Sequence, residues 1–213
     1  MRKPHSPLAG YRVAGAFAIA GGLLRLAIAS AFAVTGLGAA DDLPYGAFSR
    51  FTFLPSGALV LSMAALYGAA AHTLPRGGGF GVLVALLGLL FSTVGEVGGQ
   101  WLAFPRSGNL LIGPGAVLTM LGLGLFALHA RRRRLGAGVA TSALSIALLP
   151  VLFFPLAAGI EVLAGNGFPP ALHDNYFRVL YSIVAACWIM FGVALLREVE
   201  PSTSLPLEPA RGK

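Results

Sequence analysis

The amino-acid sequence predicts an all-α fold: a polytopic transmembrane bundle of about six helices, with both termini in the cytoplasm. Hydrophobic residues make up 56% of the 213 residues and charged residues 11%, and the mean hydropathy is +0.80. Soluble domains carry about 25% charged residues, so a chain this apolar could not cover its surface with polar groups in water. A bilayer suits it, because helices satisfy their own backbone hydrogen bonds there.

Six apolar stretches are long enough to cross the hydrocarbon core, which takes about 20 helical residues. They cover residues 13–36, 51–72, 80–102, 110–129, 135–163 and 176–196. Together they form one transmembrane domain over residues 1–197. The fifth stretch contains Pro150 and Pro155, and we expect it to be interrupted there. Residues 198–213 are rich in Pro, Ser and Glu and are predicted to form a disordered cytoplasmic tail.

The positions of arginine and lysine predict the orientation, because cytoplasmic loops carry an excess of both. Eleven of the fifteen basic residues fall on the side that holds both termini, three fall on the other side, and Arg25 lies within the first span. The run Arg131, Arg132, Arg133 and Arg134 is expected to anchor the chain on anionic lipid headgroups, at about 1 kcal/mol per charge. The net charge of +7 therefore does not require a nucleic-acid partner.

The amino end also resembles a secretory signal. Met1-Arg2-Lys3 precedes an apolar run with small residues at Ala29 and Ala31, as at a cleavage site. Cleavage would leave five spans and an external amino terminus. The length of the run and the arginine inside it favour a retained first span.

Ionisable residues inside spans are functional candidates by default. Arg25 lies near the middle of the first span, on a face of small residues that lets helices approach closely, so we expect it to point into the bundle. Glu96 in the third span is its expected partner. Ser92, Glu96 and Gln100 repeat every four residues and share one helix face. Glu161, near the outer end of the fifth span, is a further candidate.

Arg25 and Glu96 have two interpretations. A paired charge can fix the register of helices inside a bundle. The same residues, with Gln100, can form a binding or proton-transfer site in an outward-facing cavity, as in a small transporter or channel. The first interpretation is favoured, and it predicts a non-enzymatic accessory or structural membrane protein.

Neither a cofactor nor a metal site nor a catalytic activity is expected. The single cysteine, Cys187, excludes an internal disulfide and a Cys-x-x-Cys pair. His72 and His129 lie at span ends without a second histidine at helical spacing, which disfavours a haem or metal site. The chain also lacks a His-Glu-x-x-His motif, a Gly-x-Ser-x-Gly motif and a phosphate-binding glycine loop.

The span layout resembles that of small multi-pass membrane proteins of GC-rich bacteria. The resemblance rests on Gly122-Leu-Gly-Leu-Phe-Ala-Leu-His-Ala-Arg131 and Trp188-Ile-Met-Phe-Gly-Val-Ala-Leu-Leu-Arg197, two spans that end in basic residues. The preference for arginine over lysine agrees with it. The resemblance implies a bacterial plasma membrane location. It implies no activity and no site residues, and it leaves a protein partner or homo-oligomer open.

A weak internal repeat relates the third and fifth spans. Leu86-Leu-x-x-Leu-Phe91 with Glu96 resembles Leu148-Leu-x-x-Leu-Phe153 with Glu161, although gaps are needed to align them. A true repeat would indicate two duplicated hairpins, made of spans two and three and of spans four and five.

Overall fold

The computed structural model describes residues 7–34, 51, 53–101, 105–132, 136–164 and 170–198. This part of the chain is all-helical, which confirms the all-α part of the predicted fold class. Its six helices are α1 (Pro7–Val34), α2 (Phe53–Thr73), α3 (Arg76–Trp101), α4 (Pro105–Arg132), α5 (Ala137–Ala164) and α6 (Pro170–Glu198). The predicted tail lies outside the described residues, apart from Glu198 at the end of α6.

Each helix overlaps one predicted span and extends past it at one end or at both. Helices continue past the apolar core because their own backbone bonds persist at headgroup depth. The junction of α2 and α3 differs from the assignment made from the sequence. Pro75 to Gly79 look like a turn in the sequence, yet only Leu74 and Pro75 separate the two helices. The amides of Gly78 and Gly79 donate to the Pro75 carbonyl at 2.8 and 3.3 Å, so the glycines form the first turn of α3.

The expected interruption of the fifth span is wrong. The backbone of α5 is helical throughout, across both Pro150 and Pro155. Proline removes one backbone hydrogen bond, but packing against neighbouring helices offsets that loss in a bundle. Helix α4 likewise contains Pro114.

The helices have the length and composition of membrane spans. Five of them, α1, α2, α3, α4 and α6, are long and apolar enough to cross a bilayer, and α5 has a shorter apolar stretch, Ala137–Phe153, within the described residues. Large apolar side chains cover the outside of the bundle; Leu110, Leu152 and Met190 expose 73%, 66% and 60% of their surface. So much exposed apolar surface indicates contact with lipid.

The six helices form a closed circuit. Each packs against the next in the chain, and α6 packs back against α1. Contacts between residues early in one helix and late in the next show that neighbours run antiparallel, as between Gly10 and Ala69 of α1 and α2. The start of α1 and the end of α6 therefore lie at one end of the bundle, here termed the terminal end. The opposite end is termed the far end.

Glycine brings α3 and α4 into backbone contact. A Cβ atom on Gly122 would lie 2.6 Å from the Gly81 carbonyl oxygen, and one on Gly115 would lie 2.6 Å from that of Gly88. These glycines are seven residues apart on each helix, so they form one seam along the antiparallel pair. Any side chain at the seam would push the two backbones apart.

Three aromatic side chains fill the inside of the circuit near the terminal end. The Phe191 ring meets Phe126 and Trp188 edge to face, with ring centroids 6.2 and 5.8 Å away. Because α5 lies between α4 and α6 in the circuit, the contact between Phe126 and Phe191 must run across its interior. All three side chains are almost completely buried.

Candidate functional site

A polar cluster joins α1, α2 and α3 in the far half of the bundle. It consists of Arg25 in α1, Ser56 in the first turn of α2 and Glu96 near the end of α3. The antiparallel order of the three helices brings these positions to the same depth. Ser56 faces the inside because it continues the buried stripe of α2, whose other members are Leu59, Met63 and Leu66.

Ser56 stands between the two charged groups. Arg25 Nη2 donates to Ser56 Oγ at 3.3 Å, and Ser56 Oγ donates to Glu96 Oε1 at 3.1 Å. The direction of each bond follows from the chemistry: a guanidinium can only donate and an ionised carboxylate can only accept. The sequence predicts Glu96 as the partner of Arg25, and the structure links the two through the serine hydroxyl.

The two oxygens of Glu96 have unequal surroundings. Oε1 accepts the bond from Ser56, whereas Oε2 is buried without a hydrogen-bond partner. Among the described residues it is the buried side-chain oxygen or nitrogen that lacks one. A buried polar atom without a partner costs about 1–3 kcal/mol, so this oxygen marks the place where the cluster is incomplete.

Small residues on α1 set the spacing of this cluster. A Cβ atom on Gly21, one turn before Arg25, would lie 2.7 Å from Leu59 Cδ2 and 3.1 Å from the Pro55 carbonyl oxygen. The close approach of α1 to α2 therefore depends on glycine here. Nearer the terminal end, the fully buried Ser62 donates to the carbonyl of Ala14 at 2.7 Å and makes a second polar link between the same helices.

The other predicted site residues are placed differently. Ser92 is buried, but its hydroxyl donates to the Ile112 carbonyl of α4 at 3.5 Å. Ser92 thus belongs to the contact between α3 and α4. Gln100 and Glu161 lie in α3 and α5, and their side chains are outside the described part of the structure.

The predicted lipid anchor lies where α4 ends. Arg131 is exposed in the last turn of α4, and Arg132 is the final residue of that helix. Arg133 and Arg134 lie outside the described residues. The placement of Arg131 at a helix end is compatible with headgroup contact, which remains a prediction.

Ser56 is the member of the cluster that the sequence interpretation missed. It lies in a predicted span directly after Pro55, and it shares a helix face with Leu59 and Met63. A serine on the inward face of an apolar helix needs a hydrogen-bond partner. That requirement, applied to Ser56 as it was to Arg25, would have identified it.

The described residues contain no group of three or more His, Cys, Asp or Glu side chains placed to hold a metal ion. His129 Nδ1 lies 2.8 Å from the carbonyl of Leu125 in its own helix, and the ring packs against Gly77 and Gly78 at the start of α3. The side chain of His72 is outside the described part.

Comparison with protein-family models, with curated proteins and with solved structures finds no match for this chain.

Proposed function

We propose that the chain is a non-enzymatic, multi-pass accessory protein of a bacterial plasma membrane, with both termini in the cytoplasm. The observation that carries this proposal is the fully buried Ser56, hydrogen-bonded to both Arg25 and Glu96. A charged pair joined through one hydroxyl ties three helices at one depth and disfavours alternative registers. In this proposal the role of the cluster is to stabilise one arrangement of the helices.

Packing elsewhere supports a rigid scaffold. The glycine seam holds α3 against α4, and the aromatic cluster of Phe126, Trp188 and Phe191 fills the inside of the circuit near the terminal end. A permanently open channel would need space where these rings lie. A rigid bundle with a largely apolar outer surface suits a protein that presents its helices or loops to another membrane protein.

The distribution of basic residues supports the orientation. Arg12 is exposed early in α1, Arg76 starts α3 and Arg131 ends α4, and all three lie at the terminal end of the bundle. The cytoplasmic leaflet carries anionic lipids, so exposed arginines there gain about 1 kcal/mol each.

A small transporter is the second candidate, and the unpartnered Oε2 of Glu96 favours it. Acidic residues inside membrane spans mark proton and ion pathways. In this proposal the cluster would open towards the far end, and the aromatic cluster would close the terminal end.

Flux measurements separate the two candidates. Purified protein is reconstituted into liposomes, and proton and chloride fluxes are compared with those of protein-free liposomes. The accessory role predicts equal fluxes for both preparations. Flux that depends on the protein and falls in Glu96→Gln, but not in the matched variant Glu198→Gln at the exposed end of α6, would contradict that role and support transport.

A further inference from the structure

The hydrogen bonds of the cluster leave one position for a proton. The bond from Ser56 goes to Oε1 of Glu96, and Oε2 accepts none. A proton added to Oε2 would therefore break no existing hydrogen bond, because Ser56 could still donate to Oε1. Because Oε2 is buried, a proton can bind there without rearrangement, whereas any larger ligand would have to displace the surrounding side chains.

Arg25 differs from Glu96 both in its hydrogen-bonding capacity and in its burial. Its guanidinium carries five N–H donors, and one of its nitrogens, Nη2, donates to Ser56. The Arg25 side chain is half-buried, whereas Oε2 of Glu96 is buried. Ser56 donates its one hydroxyl proton to Glu96 and accepts a hydrogen bond from Arg25. It can therefore hold Arg25 in place without engaging the other N–H groups of the guanidinium.

The two groups are coupled by charge. The positive charge of Arg25 acts on Glu96 across the serine, at a place where apolar helices surround both groups. Protonation of Glu96 removes the negative partner and leaves Arg25 as an unbalanced cation inside the bundle. Such a cation strongly favours a counter-ion, and a small monovalent anion meets that need.

We propose that Glu96 is a proton-binding site linked through Ser56 to a site for a small monovalent anion at Arg25, so that the proton and the anion bind together. A halide or a small carboxylate fits, because the guanidinium donors suit either. This goes beyond the accessory role, since joint binding requires no transport and could equally serve to sense an ion.

Among the described residues, Arg25 is the charged partner of Glu96. On α2 the contact is the neutral Ser56. On the other side of α3, α4 places Ile112 and Gly115 against Ser92, one turn before Glu96. These residues carry no charge that could replace Arg25.

Linked binding has a direct test. Purified protein in weakly buffered detergent solution is mixed with potassium chloride, and proton uptake is followed with a pH-sensitive dye. The potassium salt of a bulky organic sulfonate at equal ionic strength is the control. We expect chloride-specific uptake approaching about one proton per chain, and tighter chloride binding at lower pH, because linkage is reciprocal. Equal proton uptake with both salts would overturn the proposal.

Variants assign the two halves of the site. Glu96→Gln mimics the protonated carboxyl, so it should bind chloride without proton uptake and with no dependence on pH. Glu198→Gln should behave as the unaltered protein. Chloride-specific uptake that persists in Glu96→Gln would overturn the role of Glu96. Should that variant fail to fold, the salt comparison on the unaltered protein still decides the proposal, and it is independent of the flux experiment.

Discussion

Replacing Gly122 by alanine tests the packing of the bundle where the α3 and α4 backbones approach each other. The new Cβ atom would meet the Gly81 carbonyl oxygen at 2.6 Å and Ala85 Cα at 2.8 Å, whereas ordinary contacts begin at 3.4 Å. Both are backbone atoms that no rotamer change can move. The variant therefore forces α3 and α4 apart by on the order of 1 Å.

The cost follows from that displacement. A gap of 0.5–1 Å forfeits about a quarter to a half of the dispersion energy of each atom pair, and each pair contributes about 0.1–0.2 kcal/mol. The seam from Gly81 to Ser92 packs several side chains and both backbones. Overpacking of this kind costs about 1–3 kcal/mol in well-packed interiors, and we expect the same loss in the free energy of unfolding.

The assay is unfolding in mixed micelles, followed by tryptophan fluorescence, since Trp188 is buried in the core. Gly57→Ala and Gly68→Ala are matched controls, because nothing lies within 4 Å of a Cβ atom at either position. They should not lower stability, and the higher helix propensity of alanine should raise it by up to about 1 kcal/mol. A Gly122→Ala variant as stable as these controls would refute the proposed contact between the α3 and α4 backbones.

Two further substitutions test the polar cluster and the core. Ser56→Ala removes the donor to Glu96 and the acceptor of Arg25, so it should cost about 1–3 kcal/mol, against about 0.6 kcal/mol for Ser62→Ala, which breaks one hydrogen bond in a membrane setting. Equal losses in the same unfolding assay would show that Ser56 does not link the charges. Trp188→Ala should cost about 3–5 kcal/mol by opening a cavity, while Met190→Ala on the exposed side of α6 should stay within about 0.5 kcal/mol. Unfolding of these two variants is followed by circular dichroism, because Trp188→Ala removes the fluorescent reporter; a small loss at Trp188 would contradict the aromatic core.

The helices could be predicted from the sequence because the membrane imposes a length. About 20 apolar residues are needed for each crossing, and that requirement identified six helices without any tertiary information. Where a helix begins, and whether a proline interrupts it, could not be predicted as well. Pro150 and Pro155 look like breaks, but the neighbours of a helix decide whether a proline ends it. Gly77 to Gly79 look like a turn, although they lie in the first turn of α3.

The candidate site could be predicted in part, because charge in an apolar span requires a partner. That argument selected Arg25 and Glu96, which the structure brings to the same depth. Helical spacing suggested that Ser92 would join them, but spacing on one helix cannot say which neighbour a side chain meets, and Ser92 meets α4. Ser56 was missed because a single serine does not stand out in an apolar span. Its importance comes from its position between Arg25 and Glu96.

The most direct test of the account is the side of the membrane on which the two termini and the segments at the far end lie. Cys187, the single cysteine, is replaced by serine, and one new cysteine at a time is introduced at Ser6, Asp42, Ser107, Asn166 or Ser204. A membrane-impermeant thiol reagent is then applied to intact cells and to permeabilised cells. We predict that cysteines at 42, 107 and 166 react in intact cells, while those at 6 and 204 react only after permeabilisation. Reaction of all five in intact cells, or the same protection at positions 6 and 42, would contradict a bundle that crosses the membrane six times.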